Sequence, residues 1–162
     1  MMKKLLIFLL CGALLFSLTA CRQESDPVVE PANFYYRNSD IAFGAEDGLI
    51  SVYVAETKDL NGKIIDILNL YVKGPYDSRH KFTFPSGTTV LRCNVSGDST
   101  FIVVSNEFAR LTGIDLTVAC TCLAKTVMDL TGTDKITISA SDVPLEGNTS
   151  ITISRGNVLL KD

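Results

Sequence analysis

A near-continuous apolar run, Leu5 to Leu18, lies just behind Lys3 and Lys4 and is followed within three residues by Cys21. The next stretch, RQESDPVVEPAN over residues 22–33, is polar, carries Pro27 and Pro31, and has neither a strand nor a helix period. From Phe34 onward, strand-like and helix-like stretches alternate. NFYYR is a short aromatic strand, and LISVYVAE, Leu49 to Glu56, is rich in β-branched residues and favours another. The intervening NSDIAFGAEDG is a loop. NGKIIDILNLYVKGP predicts a first helix, with Asn61 as N-cap. Ile64, Leu68 and Tyr71, flanked by Ile65 and Val72, form its apolar face, and Asp66, Asn69 and Lys73 its polar one. Gly74-Pro75 ends it, the glycine taking a left-handed turn and the proline unable to continue.

YDSRHKFTFPSG reads as a loop. In the following stretch Leu91, Cys93 and Val95 alternate with Arg92 and Asn94, which predicts a hairpin turning at Ser96-Gly97-Asp98. NEFARLTG is a short connection into a second helix, IDLTVACTCLAKTVMDLTG, capped by Asp115 and terminated at Gly132. Leu116, Cys120, Leu123, Val127 and Leu130 make its main stripe, widened by Val118, Ala119, Cys122 and Ala124. Only Thr117, Thr121, Lys125 and Asp129 form a polar line, so this helix must be covered on more than one side. DKITISA is a further alternating strand, and a hairpin around Glu146-Gly147-Asn148 closes the chain. The pattern predicts an α+β domain of two layers, its two main helices packed on one face of a small mixed or antiparallel sheet. It divides the chain into residues 1–20, 21–33 and a single domain over 34–162.

The first of those segments changes the picture most. Fourteen apolar residues fall short of the ~20 that span a bilayer as a helix. Lys3-Lys4, the apolar run and the small pair Thr19-Ala20 have the layout of an export signal. The LTAC that ends it resembles the lipobox of bacterial lipoprotein signals. That resemblance implies cleavage after Ala20 and a diacylglyceryl thioether on the Cys21 sulfur, which anchors the chain in a lipid bilayer at the outer face of the cell membrane. Residues 22–33 then serve as a tether.

Charge narrows the partners. The net formal charge of −3 becomes −5 without residues 1–20, thirteen basic residues standing against eighteen acidic ones. That balance disfavours nucleic acid and electrostatic membrane binding. Cys93, Cys120 and Cys122 are odd in number and lack a metal-binding spacing, so they read as small apolar residues. No cofactor or metal motif and no catalytic constellation stands out. His80, the only histidine, reads as a solvated loop residue although Asp77 and Ser78 are close in sequence. The acids Glu46, Asp47, Glu107 and Asp115 read as loop or capping residues. Tyr76, Phe82 and Phe84 cluster after the first helix and are the candidates for a partner surface.

LYVKGP (70–75), FPSGTTVL (84–91), VVSNEFARLTG (103–113) and TVMDLTGTDKITIS (126–139), in this order, resemble the GerMN domain family of sporulation and spore germination lipoproteins. The resemblance covers about residues 34–155. It implies a fold like that of ring-building motifs, no enzymatic activity, and self-association or binding to envelope or sporulation proteins. Well-known members of that family carry two copies, whereas one fits here. The alternative function is a lipoprotein enzyme or ligand-binding protein acting on cell-wall material, which would require a pocket with convergent polar groups.

Overall fold

A computed structural model describes residues 31–39, 49–57 and 63–157 of the chain. Cys21, the loop acids Glu46 and Asp47, and the Asn61 cap lie outside the described residues. The elements are β1 (Ala32–Asn38), β2 (Ile50–Ala55), α1 (Ile64–Tyr71), β3 (His80–Lys81), β4 (Val90–Ser96), β5 (Ser99–Val104), α2 (Gly113–Thr131), β6 (Lys135–Ala140) and β7 (Ile151–Ser154). Short 3-10 turns span Asn106–Arg110 and Arg155–Asn157. The domain is α+β, and its strands divide between two sheets. One is antiparallel with order β2-β1-β3, and the other has order β4-β5-β6-β7 with β5 and β6 parallel.

Alternation explains β1. Ala32, Phe34 and Tyr36 are fully buried, while Asn33, Tyr35 and Arg37 lie on the other face. Ala32 already pairs with Ala55, so β1 includes the two residues that precede Phe34. Strand β3 pairs with β1 only at Arg37 and Asn38. Beyond it, side chains satisfy the β1 backbone. The Tyr35 N–H donates to Thr126 Oγ1 (3.0 Å), and the Tyr71 hydroxyl donates to the Tyr35 carbonyl (2.7 Å). An edge whose backbone groups are taken this way offers no template for a further strand.

Helix α1 buries Ile67, Leu68 and Tyr71, so its inward face turns slightly past Ile64 and Ile65, which are half-buried. Asn69, expected to face solvent, instead clamps the start of β4. Its amide donates to the Val90 carbonyl (3.0 Å) and accepts from the Val90 N–H (2.9 Å), a substitute for a neighbouring strand. Gly74 is not left-handed; a Cβ there would collide with the Tyr36 hydroxyl.

The β4–β5 hairpin turns at Gly97-Asp98, with Gly97 at φ 57°. A register shift between Val90 and Arg92 bulges β4, an outer strand on which Leu91 and Val95 are exposed rather than packed. The β5–α2–β6 passage is a parallel crossover, which needs an intervening helix of this length. Eleven of the nineteen α2 residues are buried, and the helix packs on β1 as well as on β6 and β7, so the molecule itself supplies the cover the sequence demanded. Thr112 precedes the helix as its N-cap residue; Asp115 is inside the first turn and reaches Arg37 (2.7 Å) instead of capping. Gly132, at φ 69°, ends it as expected. Among the described residues no helix is long and apolar enough to cross a membrane.

The three cysteines are reduced and sit where the small-apolar reading placed them, Cys120 and Cys122 buried and Cys93 partly so. Burial pushes the Cys93 thiol up to about 11 and the Cys120 thiol to about 12, and Cys122 further still. Thiols so raised stay protonated and unreactive at neutral pH.

Candidate functional site

The three aromatic candidates separate. Phe84 is 5% exposed, edge-on to Tyr71 (5.1 Å between ring centres) and stacked on Phe108 (6.2 Å). It is a core residue that only reaches the lining of the cleft beside Phe82. The reason is local: strict alternation would put Phe82 and Phe84 on one face, but β3 ends at Lys81 and the FTFP stretch forms no regular strand, so the two rings part. Phe82 is 74% exposed and lines a cleft of about 260 Å³ with Arg37, Pro85, Leu111 and Asp115. Ile114, 73% exposed, follows at the start of α2. Tyr76 is 48% exposed, but it is anchored: its hydroxyl donates to the Leu70 carbonyl (2.7 Å) and its ring lies 6.0 Å from that of Tyr53. Only Phe82 is thus an unanchored aromatic side chain of the three.

The histidine departs most from its sequence reading. His80 is 6% exposed and forms part of β3, not of a solvated loop. Its ring lies 5.7 Å from Tyr36 and 6.3 Å from Tyr53. Nδ1 is 2.6 Å from Asp77 Oδ1, and Nε2 is 2.9 Å from Ser51 Oγ. The serine adjacent in sequence, Ser78, is not the partner. Ser51 comes from β2, on the far side of β1: it pairs with Tyr36, whereas His80 pairs with Asn38. The sheet order β2-β1-β3 therefore lets a strand serine and a strand histidine lean toward each other across β1. Ser51 also contacts the Asn38 carboxamide. A cleft of about 530 Å³ opens over this group, with Arg79 and Ser39 on its wall.

Asp77 is held from several sides. Burial works to raise its carboxyl, but hydrogen bonds from His80 and Arg79 outweigh that and hold it below the ordinary carboxylate range. Arg79 supplies its backbone N–H (3.0 Å) and its guanidinium (3.1 and 3.3 Å). A carboxyl with a depressed folded pKa takes up a proton less readily than it does unfolded, so the unfolded chain binds more protons in acid. The stability it contributes is complete above the unfolded carboxylate value, about 3.9, and disappears as pH falls through the folded value. The urea midpoint of the wild-type domain is expected to drop between about pH 5 and pH 3, and Asp77→Asn to make that drop shallower. Parallel pH profiles for the two proteins would count against the arrangement.

No protein-family model matches the chain, and none of the curated proteins matches it. Solved structures do. The first GerMN domain of the sporulation protein GerM from Bacillus subtilis superposes with a TM-score of 0.57 at 15% identity, over 79% of this chain and 99% of that domain. The chain has the GerMN fold. The tandem GerMN domains of the same protein align with a TM-score of 0.52 at 13% identity, over 77% of this chain and 44% of theirs. This chain thus spans less than half of the tandem arrangement, in keeping with one copy of the GerMN fold. At such identities the likeness concerns the backbone architecture, and the resemblance carried by the four sequence segments has its structural counterpart there.

Proposed function

We propose that this chain is a membrane-anchored lipoprotein that presents one GerMN-like interaction domain at the outer face of a bacterial cell membrane, acts in sporulation or spore germination through assembly with envelope proteins, and is not an enzyme in that role. The observation that carries the reading is the match to the whole of a GerM domain in a chain whose residues 1–21 have the layout of a lipoprotein signal. The mechanism needs no strong contact. A lipid at Cys21 confines the domain to a surface, and confinement raises effective concentration, so a weak domain interface suffices.

Phe82 is the contact residue of choice, because an exposed aromatic ring beside Pro85 and Leu111 gains most from being covered. Deleting the gene in a spore-forming host is expected to lower spore yield or germination, and the wild-type chain to restore it. Phe82→Ser should leave the domain folded yet weaken partner capture by roughly thirtyfold, the loss of about 2 kcal/mol that a central aromatic contact provides. Unchanged sporulation and germination after deletion would remove the reading.

A further inference from the structure

We propose that Ser51 is an activated nucleophile, with His80 as its general base and Asp77 as the group that orients the imidazole, and that the cleft above it accepts acyl groups from small esters. The inference stands apart from the interaction role and does not depend on it.

The geometry has the two links such a serine needs: a hydroxyl within hydrogen-bond reach of a ring nitrogen, and a carboxylate on the opposite ring nitrogen. Asp77 Oδ1 at 2.6 Å from Nδ1 fixes the tautomer with the proton on Nδ1, which leaves the Nε2 lone pair facing Ser51 Oγ at 2.9 Å. The side chain of His80 is 1% exposed, so packing against Tyr36 and Tyr53 holds the ring in that orientation. Ser51 has one hydroxyl proton and two neighbours that could accept it, Asn38 Oδ1 and His80 Nε2. The oxygen and nitrogen of a carboxamide are nearly the same in shape, and the hydrogen-bond network decides which faces where. With the Asn38 amide turned so that Nδ2 donates to Ser51 Oγ, the serine proton belongs to His80.

The chemistry closes without a cofactor. Ser51 Oγ forms a bond to the ester carbonyl carbon as its proton passes to Nε2. The carbon–oxygen bond to the alcohol then breaks, and the departing oxygen takes that proton. Water repeats the exchange, giving the carboxylic acid and regenerating the serine hydroxyl. The Arg79 guanidinium, held to Asp77 through Nε and Nη2, lines the cleft and leaves Nη1 to face a developing oxyanion. Asp77 anchors Arg79 at the mouth, which favours acyl groups bearing negative charge.

The test uses the full chain in detergent micelles with an alkyl fluorophosphonate, which reacts by forming a bond from serine oxygen to phosphorus with loss of fluoride. Peptide mass spectrometry is expected to find the adduct on Ser51 and not on Ser39 or Ser78, in the native chain and not after heat unfolding. Ser51→Ala should abolish it. Asp77→Asn, checked for native circular dichroism, should slow it by at least about a hundredfold, the lower end of what a positioned base contributes. Release of nitrophenol from a p-nitrophenyl ester should follow the same order. An unlabelled Ser51 in the native wild-type chain would overturn the proposal, and so would equal labelling before and after unfolding. Neither result depends on a variant folding.

Discussion

Replacing Cys21 with serine is expected to move the protein from the membrane fraction to the soluble one while leaving its domain folded. Serine offers an oxygen where the thioether requires sulfur, so no diacylglyceryl group can be attached at residue 21. Each buried methylene contributes ~0.8 kcal/mol to membrane binding, so two chains of roughly 16 carbons hold far more strongly than the single chain that binds only marginally. Their loss is therefore an all-or-none effect on partitioning. No basic cluster after residue 20 replaces it: the net charge there is negative, and surface binding to anionic lipid needs clusters of Lys or Arg. The fold should not register the change, since β1 begins only at Ala32. The ten residues between Cys21 and Ala32 reach at most about 33 Å, which places the domain close to the headgroups. Detergent-free fractionation with circular dichroism of the released protein checks both halves. Membrane retention of the Cys21→Ser protein, or an unmodified sulfur at residue 21 in the mass of the mature chain, would sink the anchor.

Gly74→Ala is expected to destabilise the domain by about 3 kcal/mol, the combined effect of overpacking and of a displaced buried hydrogen bond. The usual expectation is the reverse. Gly74 does not take the left-handed backbone that only glycine tolerates, and alanine at a compatible glycine site normally stabilises by ~0.4–1 kcal/mol by restricting the unfolded chain. Here the obstacle is across space. The added methyl would meet the Tyr36 hydroxyl and, at 2.8 Å, the Tyr76 ring. Tyr76 is half-exposed and could yield only by giving up its hydrogen bond to the Leu70 carbonyl. Tyr36 cannot, because it is fully buried and its hydroxyl donates to the Tyr71 carbonyl at 2.6 Å. Moving it would also disturb the tilted Tyr36–Tyr71 pair and the Phe34 ring beside them. Gly156→Ala is the control: it has open space around it and should change stability by less than about 0.5 kcal/mol. Equal urea midpoints for Gly74→Ala and wild type would show that the Tyr36 contact has no such stiffness.

Much of the scaffold could be read from residue order. Aromatic and β-branched composition located β1 and β2, alternation located β4 and β6, and helical periodicity located both helices, because burial of one face writes its period directly into the chain. Gly97 and Gly132 were identifiable at their turns for the same local reason, a backbone angle that side chains resist. The excess of apolar residues on α2 correctly announced cover on several sides. The signal layout ending at Cys21 is likewise a purely local pattern.

What the sequence determined was therefore each segment's own preference: strand or helix, which face is apolar, and where the chain must turn. The tertiary structure alone decided which segments share a sheet, and that assignment reversed several local readings. Asn69 turned inward because Val90 lies on the edge strand β4 with no strand on its outer side, Gly74 is needed because Tyr36 occupies the space beside it, and Phe84 went to the core while Phe82 stayed outside. The same assignment put Ser51 against a histidine 29 residues away, through an intervening strand, instead of the serine two residues from it. Periodicity carries no information about strand order, since the energy that fixes it comes from contacts between segments and not from any one of them.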